Sequence, residues 1–181
     1  MKKKLFAVFL LIVVISVAAG GTYAYFTAES TARNVITTGN LSLAIVETTD
    51  GGKPFPADGV SVMPGDVVNK TVVIKNTGTH PMYLRVQVEK SVDDERLDAE
   101  NCLSIVDLNE TDWTYSNGYY YYNTVLEAGE KTEPLFTKVH IVGELVDNAY
   151  LGKNFDLTVS AYAVQSENNG SSVWTAAGWS D

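Results

Sequence analysis

The chain has 181 residues with 13 Lys or Arg, 22 Asp or Glu and 45% apolar side chains, enough for one domain with a sizeable core. Its net charge of −9 repels nucleic acid and anionic membrane surfaces, so neither is an expected partner. The single cysteine, Cys102, excludes an internal disulfide, and the fold must rest on packing and backbone ladders.

The chain begins with an address. Lys2, Lys3 and Lys4 precede a 15-residue apolar run, Leu5 to Ala19, broken only by Ser16, which is the grammar of a secretory signal peptide. Gly20 and Gly21 would weaken a helix where a spanning anchor should continue. Thr22 and Ala24 offer the small side chains that a signal peptidase needs, so cleavage is expected between Ala24 and Tyr25, with a retained anchor as the alternative. Removing the three lysines leaves 10 basic against 22 acidic side chains. The mature product is strongly acidic, and membrane contact is expected only through the uncleaved signal.

Residues 25–38, "YFTAESTARNVITT", mix β-branched and polar side chains without an apolar helical stripe, as suits an extended arm. Residues 39–181 then read as one domain. Leu41 to Thr49 alternates as a strand with Leu41, Leu43 and Ile45 on one face. Asp50 to Gly59 is rich in Gly, Pro and Asp and should be a loop. Val60 and Val62 resume a strand pattern up to Pro64-Gly65, which suit the central positions of a type II turn. Val67 to Lys75 is the next strand, and Asn76-Thr77-Gly78 turns it. From Met82 to Glu89 the alternation is cleanest: Met82, Leu84, Val86 and Val88 inward, Tyr83, Arg85, Gln87 and Glu89 outward to water.

The acidic run from Asp93 to Glu100 suggests a short surface helix before Leu103, Ile105 and Val106 return to the core. Asn117-Gly118 is the strongest hairpin signal, because both central positions of a type I′ turn demand positive φ. That turn pairs Tyr115 with Tyr120 and Trp113 with Tyr122, and places Tyr119 and Tyr121 on the opposite face. Glu127 to Lys131 turns again, Pro134 to Val142 is a strand, Gly143 to Gly152 a loop or single helical turn, and Asn154 to Gln165 the last long strand. Val173, Trp174 and Trp179 end the chain and can pack back on the domain. About eight strands between Gly, Pro and Asn turns, with no long amphipathic helix, predict an all-β sandwich wired as a Greek key or jelly roll.

Chemistry is sparsely provided. Catalytic zinc needs a set such as H-E-x-x-H, whereas this chain has only His80 and His140, in different segments. No G-x-S-x-G elbow occurs, and Cys102 has no histidine in a recognisable relation to it; it reads as buried and inert, or as a dimer contact. Asp93, Asp94, Glu95, Asp98 and Glu100 lack calcium-loop spacing and read as a solvated face, with calcium the alternative. No catalytic residue, metal ligand or cofactor is therefore expected. The face bearing Tyr119 and Tyr121 is the expected contact surface, since a strand needs to bury only one side.

"GGTYAYFTAESTARNVITTGNLSL", from Gly20 to Leu43, and the Pro64-Gly65-Asp66 turn followed by "VIKNTG" resemble the TasA/camelysin group of exported proteins of Gram-positive bacteria. The leader is similar to those cut by a SipW-type signal peptidase, and "DWTYSNGYYYYNTVLEAGEKTEPLF" looks like a segment recurring behind such signals. The resemblance implies a jelly-roll domain that is secreted to the cell surface or the biofilm matrix. It also implies fibres in which the N-terminal segment of one subunit, here Tyr25 to Thr38 with Tyr25, Phe26, Val35 and Ile36 as its apolar residues, completes the sheet of a neighbour. Partners would be the signal peptidase and the protein itself or related fibre subunits. Camelysin-like relatives are described as casein-cleaving metalloproteases, so the alternatives are a zinc-dependent surface protease and a monomeric adhesin using the tyrosine face.

Overall fold

The computed structural model describes residues 41–179. The leader, the Ala24–Tyr25 junction and the arm with Tyr25, Phe26, Val35 and Ile36 lie outside the described residues. Among the described residues no helix is long and apolar enough to cross a membrane.

Eight strands form two four-stranded antiparallel sheets. They are β1 (Leu43–Thr48), β2 (Val67–Asn76), β3 (Met82–Val92), β4 (Leu103–Val106), β5 (Trp113–Ser116), β6 (Tyr119–Tyr122), β7 (Phe136–Ile141) and β8 (Phe155–Gln165). The first sheet has the order β1-β2-β7-β4 and the second β5-β6-β3-β8. β1 and β8, at the ends of the two orders, come into contact. The ring around the sandwich is thus β1-β2-β7-β4-β5-β6-β3-β8: strands from the two halves of the chain lie side by side in mirrored succession, β2 with β7 and β3 with β6. This is jelly-roll wiring, as the sequence predicts.

Period-2 patterning places the core. Val72, Ile74, Leu84, Val86 and Phe136 are fully buried between the sheets, with Leu43, Trp113, Val139 and Val159 around them. The segment between β6 and β7 holds the sandwich at one end. Leu126 exchanges backbone bonds with Met82, and Thr132 and Leu135 donate to the carbonyls of Ile74 and Val72. Asn76, expected only as a turn residue, is fully buried there. Its Nδ2 donates to the carbonyls of His80 and Leu126, and its Oδ1 accepts from Gly78 N–H, so a buried amide is satisfied where strands cross from sheet to sheet.

The turns behave as their residues demand. Asn117 and Gly118 have φ of 49° and 85°, and the hairpin pairs Trp113 with Tyr122 and Tyr115 with Tyr120. Gly65 has φ of 93°, and Asp66 N–H closes the turn on the Met63 carbonyl.

Three expectations are corrected. Val60 and Val62 form no strand: turns at Pro56–Gly59 and Met63–Asp66 crowd the segment, and the Met63 N–H, which a ladder would need, goes to the Asp66 carboxylate. The acidic run forms a turn, with helix only at Ala99–Cys102, where the Asp98 side chain caps the Asn101 N–H. Tyr83 and Arg85 are not wet. Both are buried, because Val173, Ala176 and Trp179 of the C-terminal segment fold over that half of the second sheet.

Candidate functional site

The alternation of backbone groups along an antiparallel strand shows which edges are bonded. In β1, the Ser42 carbonyl accepts from Thr77 and Gly78 at the β2 side. Even-numbered residues therefore face β2, and the N–H and C=O groups of Leu43 and Ile45 point away from it. Glu47 also points away, and its carbonyl is taken by Phe55 N–H.

In β8, Ser166 N–H donates to the Pro81 carbonyl and Asp93 N–H to the Asn154 carbonyl. Even-numbered residues face β3 along an unbroken register from Met82↔Gln165 to Val92↔Phe155. The backbone groups of Phe155, Leu157, Val159, Ala161 and Ala163 consequently point outward. β1 and β8 touch, yet among the described residues no backbone ladder joins them. The sandwich has a seam here, with one open edge on each side.

Edge strands are normally blunted by brevity, charge, proline or a bulge. β8 has 11 residues, a single charge at Asp156, no proline and a continuous register. The inward side chains beside the seam are incompletely covered: Ile45 on β1 and Phe155, Leu157 and Ala163 on β8 are only partly buried against the core. Such an edge can accept an extended segment, through backbone bonds for affinity and alternate side-chain sockets for specificity. The faces of this strand are legible in its sequence, but the openness of its edge is not. The only advance signal is the coincidence of length, β-branching and missing charge.

Tyr119 and Tyr121 share the outer face of the second sheet. Tyr119 lies against Arg85, whose guanidinium carbon is 3.9 Å from the ring centre, and edge-on to Tyr162. Tyr121 meets Trp174 at 4.7 Å and Trp179 at 6.1 Å. The chain's own C-terminal segment thus shares this face with the two tyrosines, and both remain half-buried.

The histidines do not converge. His140 lies opposite Val67, the first residue of β2, whereas His80 follows the last, Asn76, and faces Glu167 at 3.5 Å. A ten-residue strand is about 30 Å long, so the two rings cannot ligate one ion. Cys102 is buried, donating weakly to Tyr150 Oη and the Leu145 carbonyl. Among the described residues no three His, Cys, Asp or Glu side chains gather. The donor set does not fit a catalytic zinc site.

The acidic segment is tied up by its neighbours. Arg96 and Lys153 sit on Asp94, and the Arg96 guanidinium holds that carboxyl far below the usual range. Asp98 is lowered by its bonds to Asn101. Asp107 is lowered by Lys138 and Thr137.

A family model described as Camelysin metallo-endopeptidase matches residues 1–104, more than half of the chain and ending within β4. No curated protein matches it.

Proposed function

The chain belongs to the camelysin metallo-endopeptidase family, and from that premise we propose that it is a secreted, non-enzymatic subunit of an extracellular fibre. In this reading a SipW-type signal peptidase cuts between Ala24 and Tyr25. The freed arm, Tyr25 to Thr38, then adds as a strand to a neighbouring subunit. The observation that carries the proposal is the β1/β8 seam, whose long, nearly uncharged β8 edge has no ladder partner among the described residues.

An arm bearing Phe26, Val35 and Ile36 supplies both things the seam lacks, namely backbone donors and acceptors and apolar side chains to cover Ile45, Leu157 and Ala163. Each subunit would donate one arm and accept another. That contact is head-to-tail and does not close, so it grows filaments.

The metallo-endopeptidase description of the family is not carried over to this chain, because His80 and His140 stand at opposite ends of β2. Casein cleavage that disappears with chelator and with His80 or His140 replaced would restore it. The fibre reading is tested by electron microscopy of protein beginning at Tyr25 beside protein lacking Tyr25 to Thr38. The first should form filaments and the second should stay monomeric. Identical behaviour of the two would refute the arm as donor.

A further inference from the structure

Beyond β8, residues 168–179 form a loop that carries no charged side chain and is held by a dense set of side-chain hydrogen bonds. Asn169 Nδ2 donates to the carbonyls of Gln165 and Ala177, both at 2.9 Å, and its Oδ1 accepts from Ala177 N–H at 2.8 Å. Thr175 Oγ1 accepts from the N–H groups of Ser171 and Ser172 and donates to the Ser172 carbonyl. Gly170 has φ of 74°, and a Cβ there would lie 2.7 Å from Thr175 Oγ1 and 2.8 Å from the Thr175 carbonyl, so only glycine fits.

This bracing fixes a turn from Ser172 to Thr175 in which Val173 points into the sheet and Trp174 does not. Val173 is buried against Tyr83 and Val164. Trp174 is 50% exposed, with one side of its indole on Tyr121, the ring planes inclined by 38°. The bracing that lays Val173 and Trp179 over the sheet also holds Trp174 in place, so half of a large indole is presented to solvent in a fixed position.

We propose that the Trp174–Tyr121 platform binds a neutral polysaccharide, one sugar ring stacking on the exposed part of the indole and its hydroxyls bonding to neighbouring uncharged side chains. Three observations select that ligand. An aromatic face presents negative charge density to polarised C–H groups, which the flat faces of pyranose rings supply. Ser171 and Ser172 beside Trp174, and Tyr119 beside Tyr121, are uncharged, and the Arg85 guanidinium is 7% exposed under Tyr119 and Trp179. The chain's net charge of −9 repels polyanions at long range. Rigid Trp and Tyr rings beside Ser, Asn and Gly form an adaptable recognition surface at low entropic cost.

The test uses the full chain in affinity electrophoresis against soluble glucan, galactan, mannan and chitin oligomers, with polygalacturonate as the anionic control. Wild type should be retarded by at least one neutral polymer, undiminished by molar salt, and not by polygalacturonate. Trp174→Ala should weaken that retention at least about tenfold, the usual loss when a central stacking residue is truncated, while melting as wild type does. Trp174→Phe should recover part of it, and Tyr115→Ala, which removes an exposed aromatic elsewhere, should change nothing. No retention by any neutral polymer, equal retention by polygalacturonate, or full retention by Trp174→Ala overturns the proposal. So does a Trp174→Ala protein that loses fibre formation and keeps glycan binding, because the ring would then be a subunit contact.

Discussion

The two sheets of this sandwich meet along two seams, and the seams are finished differently. Between β4 and β5 the edges are four residues long each. Trp113, the first residue of β5, is buried in the core, 2% exposed, its indole N–H donating to the Glu133 carbonyl. The connecting loop is fastened by Asn109 to Asp112 and by Asp107 to Thr137 and Lys138. Between β1 and β8 the strands run six and 11 residues, and among the described residues nothing comparable closes them. Short, fastened edges resist strand addition, whereas a long and nearly neutral one invites it. In the proposed fibre, the open edge is where a neighbouring subunit's arm would add.

Blocking the open edge should have the largest effect. Ala163→Pro removes an N–H that points away from β3 and leaves the β3–β8 ladder intact. It should abolish filaments in electron micrographs while shifting the melting temperature by no more than about 2 °C, less than ~1 kcal/mol for a domain of this size. Filaments of ordinary length would place assembly elsewhere. At the closed seam the effect should be on folding instead. Trp113→Ala leaves a large cavity and an unpaired Glu133 carbonyl, and should cost about 3–5 kcal/mol in denaturant unfolding.

A smaller loss follows at the hairpin beside that seam. Gly118→Ala forces a side chain into φ of 85° and should destabilise by about 1 kcal/mol. Smallest is the pH response of the fastening loop. The Asp107 carboxyl is lowered by Lys138 in the folded protein. Its contribution is therefore complete above the ordinary carboxylate range near pH 4 and lost as pH falls through the depressed value. Melting temperature should fall as pH drops below about 4, and Asp107→Asn should lower it from pH 5 to 7 while making that acid fall shallower.

What the sequence could show follows from which atoms carry its pattern. Side-chain alternation placed Met82, Leu84 and Val86 in the core, and Asn117-Gly118 fixed the hairpin register, because positive φ at both positions admits few alternatives. The same alternation assigned Tyr83 and Arg85 to water, since a period of two separates the faces of a strand without saying what covers the second. Val173 and Trp179 supply that cover from about 90 residues downstream, a distance at which local propensity is silent. Backbone edges are less legible still. Every residue carries the same N–H and C=O, so the openness of β8 emerges only from the sheet order. The expected contact residues Tyr119 and Tyr121 fell on the anticipated face, but Trp174, which gives that face its exposed ring, was legible only as a residue able to pack back.

Amide hydrogen exchange along β8, measured in monomers beginning at Tyr25 and again in the filaments proposed for them, tests the open seam most directly. The N–H groups of Leu157, Val159, Ala161 and Ala163 should exchange quickly in the monomer and become protected in the filament, while those of Thr158, Ser160 and Tyr162, bonded to β3, should be protected in both. Protection of the odd-numbered amides that is the same in monomer and filament would contradict it.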